Sequence, residues 1–142
     1  MNKDYEELKI FTDGASRGNP GDAAWAYLIL DDQENKIVSQ SGYIGNSTNN
    51  QAEYFAVIRA LQRAKELTRE KVHLFSDSQL LVNQVTGSWK VKNPELGRLH
   101  GRVRSLVDSF AEVKFTHLPR ENNYIGQADE LCNLRLDEIE KY

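Results

Sequence analysis

Residues Ile10–Gly21 read IFTDGASRGNPG, in which an apolar alternating run ends in an aspartate and a glycine-rich segment follows. Phe11 and Asp13 fall on one face of a predicted strand, and Ile10 falls on the other. Asp13 therefore stands at the carboxyl end of a strand, which is where open α/β sheets bind ligands. Glycines after it leave room for a ligand to approach the backbone. A solvated turn that happens to contain an aspartate is the alternative interpretation.

The composition is typical of one globular domain, with 142 residues, 39% of them hydrophobic and 27% charged. We expect a single domain over residues 1–142, with residues 1–7 as a flexible start. This start is polar and acidic, unlike a secretory signal, and no apolar run is long enough to span a membrane. A cytoplasmic monomer without a membrane partner is therefore expected. The single cysteine excludes an internal disulfide and a cysteine zinc site.

The formal net charge of −3 weakly disfavours a nucleic-acid partner, but the charge is unevenly distributed. Residues 90–104 carry five basic side chains and one acidic one, whereas residues 120–142 carry three basic and six acidic ones. Metal ions bound by clustered carboxylates would neutralise part of the acidic charge. The negative net charge of the chain therefore does not exclude a polyanionic substrate.

The hydrophobic pattern predicts an α/β fold with five strands, of which the first three form an antiparallel meander. The predicted strands are residues 8–13, 23–30, 36–44, 71–76 and 112–118. The predicted helices are residues 51–67, 79–85, 95–110 (or two short helices there) and 124–139. A helical crossover leads to the fourth strand, so we expect it to lie parallel to a strand of the first three.

Four acidic residues occupy positions that are unusual for carboxylates. Asp13 and Asp77 each follow an apolar strand, and Glu53 and Asp129 lie on otherwise apolar helix stripes. Clustered acids raise each other's pKa unless a cation intervenes, and Mg²⁺ takes oxygen ligands. Two such ions about 3.5–4 Å apart can clamp the oxygens of phosphodiester hydrolysis. The four acids predict a shared metal site; the alternatives are a solvated Glu53 and an N-capping Asp77.

Four blocks of sequence, in this order and spacing, resemble the type 1 ribonuclease H family over almost the whole chain. They are TDG with GNPG within residues 12–21, TNNQAE at 48–53, SDSQL at 76–80 and ADELCN at 128–133. The resemblance implies the α/β ribonuclease H-like fold, a five-stranded mixed sheet of three antiparallel and then two parallel strands, flanked by helices. It also implies cleavage of the RNA strand of RNA–DNA hybrids by two metal ions, leaving 5′-phosphate and 3′-hydroxyl ends. The implied cofactor is Mg²⁺, or Mn²⁺, with two ions present when substrate is bound.

The same resemblance implies which residues form the site. The implied metal-binding catalytic residues are Asp13, Glu53, Asp77 and Asp129. The implied substrate contacts are Asn19, Thr48, Asn49, Asn50 and Gln79. Amide groups in such positions can bond to the minor groove of a hybrid, where the 2′-OH marks RNA. Helix capping is the alternative role for Asn49 and Asn50.

The chain departs from the family pattern in the loop before the last helix. Many members carry a histidine there that is thought to assist proton transfer or product release, and the loop Leu118–Gln127 has none. His117 is predicted to belong to the preceding strand. Arg120 and Glu121 are the remaining candidates for this role, and the sequence does not choose between them.

A second departure concerns the grip on the substrate. Some bacterial members insert a basic helix that holds the hybrid, and the short link 87–94 leaves no room for one. Trp89, Lys90 and Lys92 are candidates for a smaller contact surface, with a solvated connection as the equally weighted alternative.

Two other functions are compatible with the same sequence. One is a catalytically weak hybrid-binding module, and the other is an integrase-like nuclease on the same fold. Integrases and transposases normally bring extra DNA-binding domains, for which this chain has no space. The chain also begins with Met and contains no polymerase segment, so we expect a free-standing ribonuclease H rather than a fragment of a reverse transcriptase.

Overall fold

The computed structural model describes residues 5–140, which form a five-stranded sheet and four helices. The strands are β1 (Glu7–Gly18), β2 (Gly21–Leu30), β3 (Lys36–Ser47), β4 (Lys71–Ser76) and β5 (Glu112–His117). The helices are α1 (Asn49–Ala64), α2 (Gln79–Val85), α3 (Pro94–Val107) and α4 (Asn123–Glu140). A flexible start was predicted for residues 1–7. Residues 1–4 lie outside the described residues, so for them this stays a prediction, whereas Glu7 already belongs to β1.

The strand order in the sheet is β3-β2-β1-β4-β5. β2 runs antiparallel to both β1 and β3, while β4 runs parallel to both β1 and β5. This order confirms the predicted mixed sheet of three antiparallel and two parallel strands. α1 makes the crossover between β3 and β4, as expected for a strand that joins the sheet in parallel.

The β1–β2 hairpin is longer than the sequence pattern predicts. β1 continues past Asp13 to Gly18, and its pairing with β2 extends to the pair Gly18 and Gly21. β3 follows this extended β2 and therefore reaches Ser47. The glycine-rich segment interpreted as a turn is thus mostly strand, since the pairing of β1 with β2 continues without a break from Lys9 to Gly18.

The two faces of the sheet carry different helices. α1, α2 and α3 cover one face, where Leu8, Ile10 and Ile29 are fully buried against them. α4 covers β1, β2 and β3 on the opposite face. That face contains an aromatic and aliphatic cluster and a second cluster built mainly of small residues. The second cluster, called here the small-residue cluster, consists of Ala24, Ala26, Ala128, Cys132 and Leu136.

The helix caps correct two alternatives from the sequence. Thr48 is the N-cap of α1: its side chain accepts from the N–H of Gln51, and the Gln51 side chain accepts from the N–H of Thr48. Asn49 therefore begins the helix instead of capping it. Ser78 caps α2, where its hydroxyl oxygen accepts from the N–H of Leu81, so Asp77 is not the N-cap. No helix within residues 5–140 combines the length and apolar character needed to cross a membrane.

Candidate active site

Two of the four acids meet because β1 and β4 are neighbouring parallel strands. Thr12 of β1 pairs with Ser76 of β4 in register, and Asp13 and Asp77 are the next residues along each chain. Asp13 is only 4% exposed, whereas Asp77 is partly buried. Asp13 and Asp77 therefore lie side by side on neighbouring parallel strands. The prediction that Asp13 stands at the end of a strand is wrong, because β1 continues to Gly18, and only β4 ends here, at Ser76.

Glu53 joins them from the first turns of α1. The backbone N–H of Gly14 donates a 2.8 Å hydrogen bond to Oε1 of Glu53. This contact requires a close approach of helix and strand, since a methyl group at position 14 would overlap the backbone of Ala52. Carboxylate oxygens of Asp13, Glu53 and Asp77 all lie within 4.8 Å of one another.

Asp129 faces the same open cavity, which has a volume of about 550 Å³. It lies outside the group of three acids whose oxygens are within 4.8 Å of one another. The cavity is lined by Asp13, Gly14, Ala15, Ser16, Asn49, Glu53, Asp77, Arg120, Asp129 and Asn133. The structure thus brings all four predicted acids to one cavity, with three of them in a tight cluster.

The electrostatics of the cluster are unfavourable without a counter-ion. The pKa of Asp13 is raised from 3.8 to about 9, first by burial and then by the charge of Asp77 and the neighbouring Asp129. The pKa of Glu53 is also raised well above its ordinary value, by burial and by the charges of Asp13 and Asp77. Both shifts have the direction expected when like charges share a partly dry site.

This donor set fits a hard divalent cation. It offers only carboxylate oxygens, which Mg²⁺ and Mn²⁺ accept readily, and no histidine or thiolate that would favour a softer metal. A cation among Asp13, Glu53 and Asp77 would also offset the repulsion that raises their pKa values. The cavity remains open to solvent, which leaves space for a phosphate group and water.

Asn49 and Asn19 are fixed beside the cavity by hydrogen bonds to their backbone and side-chain neighbours. Oδ1 of Asn49 accepts from the backbone N–H and the hydroxyl of Ser16, at 2.9 and 3.1 Å. Oδ1 of Asn19 accepts from the N–H of Asn49 at 3.0 Å. Both amide oxygens are therefore occupied, and within residues 5–140 neither amide nitrogen donates a hydrogen bond.

The other three predicted substrate contacts lie outside the cavity lining. Thr48 is engaged in capping α1, while Asn50 and Gln79 are exposed at the starts of α1 and α2. Their positions at these helix starts place them on the side of the sheet edge where the acids lie. Their roles remain predictions.

The loop before α4 separates the three candidates for the role of the missing histidine. His117 is the last residue of β5 and is exposed, in agreement with its predicted place in the strand. Arg120 lines the carboxylate cavity, whereas neither His117 nor Glu121 does. Arg120 is thus the candidate that the fold brings to the site.

Two cavity residues were missed by the sequence analysis. Ser16 holds Asn49, and Asn133 lies one helical turn after Asp129, to whose carbonyl its Nδ2 donates at 3.1 Å. The i, i+4 spacing from Asp129 was a usable signal for Asn133. Ser16 had no such signal, because its place depends on the hairpin extension.

A second groove, of about 590 Å³, lies between the end of α2, the following link and α3. Trp89, Lys90, His100 and Arg104 line it, and Trp89 is 47% exposed. No carboxylate is present among the described residues that line this groove. Lys92 is exposed outside it. We call this the Trp89 groove.

Comparison with known proteins gives consistent matches. A family model described as reverse transcriptase-like matches residues 11–134. Ribonuclease HI of Halobacterium salinarum is 41% identical over 131 residues, which cover 92% of this chain and 65% of that protein. Ribonuclease H of Chlorobaculum parvum is 35% identical over 144 residues, which cover 92% of this chain and 96% of that protein.

A solved structure, LC11-RNase H1 in complex with an RNA/DNA hybrid, is 38% identical, with a TM-score of 0.86. The match covers 93% of this chain and 98% of that one. This chain spans 65% of the length of the Halobacterium relative and 36% of the length of three mycobacterial relatives.

Proposed function

The chain belongs to the ribonuclease H family, and we propose that it hydrolyses the RNA strand of RNA–DNA hybrids with divalent metal ions. The observation that carries the proposal is the convergence of Asp13, Glu53, Asp77 and Asp129 on one open cavity. Clustered carboxylates repel a phosphate backbone, so a module that only binds nucleic acid gains nothing from them. Their presence favours the nuclease over the hybrid-binding module.

Mg²⁺ is the proposed ion, with Mn²⁺ as a substitute, and two ions are proposed when substrate is bound. Asp13, Glu53 and Asp77 would hold one ion together, and Asp129 would contribute to the second. When bound, the ions supply the positive charge that stabilises the attacking and leaving oxygens of phosphodiester hydrolysis. Water attacks phosphorus and the bond to the 3′-oxygen breaks, so the products carry 5′-phosphate and 3′-hydroxyl ends.

Polar residues in and beside the cavity would orient the substrate. Asn19 and Asn49 have their amide oxygens occupied, so their amide nitrogens are available as donors to the hybrid. A 2′-OH accepts such a bond, which distinguishes RNA from DNA at the cut. Arg120 always carries a positive charge and would hold the phosphate at the cavity rim, but it is a poor proton donor.

The Trp89 groove would hold the hybrid at a distance from the cut. Its lysine and arginine can contact phosphates, and the exposed indole can pack on a sugar or base. This surface would replace the basic helix that some bacterial members of the family insert. Its contacts would add affinity without sequence preference.

Cleavage of matched substrates tests the proposal. We expect the RNA strand of a hybrid to be cut in Mg²⁺ and not in EDTA, while double-stranded DNA stays intact. Replacing the ribonucleotides around the cut with deoxyribonucleotides should remove cleavage. Comparable cutting of a DNA duplex would instead favour the integrase-like nuclease.

A further inference from the structure

Arg17 ties the tip of the β1–β2 hairpin to the second half of α4. Its Nη2 donates to the backbone carbonyl and to Oδ1 of Asn133, at 3.2 and 3.3 Å. Nη2 also lies 2.7 Å from a carboxylate oxygen of Asp137, and Nη1 lies 2.8 Å from one of Glu140. The three partners are spaced i, i+4 and i+7, so one guanidinium spans two turns of a single helix face.

The charge pattern of α4 explains why this contact stabilises the helix. Asp137, Glu138 and Glu140 all lie near its carboxyl end, and its last turn within the described residues contains no basic side chain. Carboxylates at that end interact unfavourably with the helix dipole. Arg17 supplies the missing positive charge from another element of the fold.

The contact also connects two of the acids. Asp13 and Arg17 lie on the same face of β1, four residues and about 13 Å apart. Asp129 and Asn133 lie one turn apart on α4. Because Oδ1 of Asn133 accepts from Arg17 while its Nδ2 donates to the carbonyl of Asp129, the amide is held in one orientation. Arg17 therefore links the strand that carries Asp13 to the turn that carries Asp129.

Apolar packing between α4 and the hairpin is modest at this end. The small-residue cluster contains three alanines and a cysteine, with Leu136 as its one large side chain. Burial of small side chains contributes less than burial of leucine or isoleucine, because the stabilisation follows apolar area. The hydrogen bonds and ion pairs of Arg17 consequently contribute a larger share of the stabilisation of this part of α4 than they would if the helix were packed through leucine side chains.

We propose that Arg17 is a positioning residue, which holds α4 so that Asp129 faces Asp13 and both can bind the metal ions. It would act through Asn133 and the α4 backbone, without touching metal or substrate. The inference rests on the proposed metal role of Asp129. Loss of outer partners of metal ligands typically lowers metal affinity about 10–100-fold, and we expect the lower end because Arg17 acts through a second residue.

Arg135 provides a matched control. It also ties α4 to the sheet, through a 3.2 Å bond from Nη2 to the carbonyl of Ser41 and an ion pair with Glu138. Unlike the Arg17 contact, this one reaches β3 and involves no residue of the carboxylate cavity. Arg135→Ala should therefore show the effect of removing a polar contact between α4 and the sheet that does not involve the carboxylate cavity.

The test is Mn²⁺ binding by titration calorimetry at a temperature where wild type, Arg17→Ala, Arg17→Lys and Arg135→Ala are all folded. Arg17→Ala should bind Mn²⁺ about 10-fold more weakly, and Arg135→Ala should match wild type. Arg17→Lys should have an intermediate Mn²⁺ affinity, because lysine keeps the positive charge but loses the several N–H donors of the planar guanidinium. In cleavage assays Arg17→Ala should need more Mg²⁺ for half-maximal rate, with KM for the hybrid unchanged at saturating Mg²⁺.

Equal Mn²⁺ affinities for Arg17→Ala and Arg135→Ala would overturn the positioning role while leaving the nuclease proposal intact. Asp129→Asn in the same titration distinguishes the two failures. If that variant binds Mn²⁺ as wild type does, Asp129 is not a ligand, and the inference about Arg17 fails with that assignment. If wild type itself neither binds Mn²⁺ nor cuts the hybrid, both proposals are wrong.

Discussion

The backbone N–H of Gly14 donates a 2.8 Å hydrogen bond to the carboxylate of Glu53, so the strand that carries one acid directly holds another. The bond joins residues 39 positions apart in the chain. It forms only because Gly14 lacks a side chain, which lets the first turn of α1 rest on β1. The distance between Asp13 and Glu53 is thus set by main-chain contact between two elements.

Gly14→Ala should disrupt both stability and cleavage. The added methyl group overlaps the backbone of Ala52, so α1 must shift and carry Glu53 away from Asp13. We expect a loss of about 1–3 kcal/mol in the free energy of unfolding, as for other overpacked sites, and a large fall in kcat. Denaturant unfolding and hybrid cleavage measure the two effects.

Gly101→Ala is the control for that substitution. Gly101 lies inside α3 with open space where a methyl group would go. Alanine there should raise the free energy of unfolding by roughly 1 kcal/mol, because it favours the helix. If Gly14→Ala and Gly101→Ala change the free energy of unfolding alike, the close contact at Gly14 does not explain why that position requires glycine.

Asp13→Asn should abolish cleavage and leave the fold intact. The amide keeps the shape of the side chain but removes the charge that would hold a cation, and we expect a rate loss greater than about 10²-fold. Relief of repulsion with Asp77 and Glu53 should raise the thermal midpoint of the metal-free protein. Substantial cleavage by this variant at saturating Mg²⁺ would contradict the assignment of Asp13.

The stability of the metal-free protein should fall as pH rises. The pKa of Asp13 is 3.8 ordinarily and about 9 in the folded state, so the folded protein binds a proton that the unfolded chain has lost. The associated stability is complete below about pH 4 and disappears as pH approaches 9. We predict that the midpoint of wild type in EDTA decreases over this range relative to Asp13→Asn. Parallel curves for the two proteins would contradict the raised pKa.

Arg120→Ala should reduce kcat more than His117→Ala or Glu121→Ala. Arg120 alone among the three lines the carboxylate cavity, while His117 is held in β5. Removal of one charge-stabilising group typically costs about 10²–10³-fold in kcat, and Arg120→Lys should recover part of the loss. A pH–rate profile of each variant checks the assignment. Loss of the basic limb in His117→Ala alone would identify the histidine as the proton shuttle.

Trp89→Ala and Lys90→Ala should weaken hybrid binding and spare the chemical step. Both residues line the Trp89 groove, which is separate from the carboxylate cavity. We expect a higher KM at unchanged kcat, and a salt dependence of binding reduced by about one charge for Lys90→Ala. Lys92→Ala is a useful comparison, because Lys92 lies outside the groove. Equal effects of the two lysine variants would mean that the groove does not define the contact.

The sequence was sufficient to predict the directions of the first four strands and to identify the four acids, because both follow from short-range patterns. Asp13 and Asp77 follow apolar runs, and Glu53 and Asp129 interrupt apolar helix stripes. Each pattern spans a few residues, and the parallel crossover then places Asp77, just past the end of β4, beside Asp13 of β1. The convergence on one cavity agrees with that reasoning, while the metal-binding role of the acids stays a prediction.

The parts that the sequence did not predict depend on contacts between distant segments. The bonds between Arg17 and Asn133 span 116 positions, and no local period indicates them. The extension of β1 to Gly18 was missed because glycine and serine are typical of turns, whereas here they fit a tightly paired hairpin. Arg120 and Glu121 are adjacent polar loop residues, and only the path of the folded loop separates them.

Cys132 can report when α4 moves away from the sheet. It is the single cysteine of the chain, it is fully buried, and its S–H points to the carbonyl of Asp13 at 3.4 Å. Burial and the nearby carboxylates raise the pKa of this thiol, so it stays protonated and unreactive while α4 is docked. A thiol reagent can therefore label it only when the helix lifts from the sheet. When the reagent is concentrated enough to react before the helix closes again, the labelling rate equals the rate of that opening, and so measures how often Asp129 leaves the other three acids.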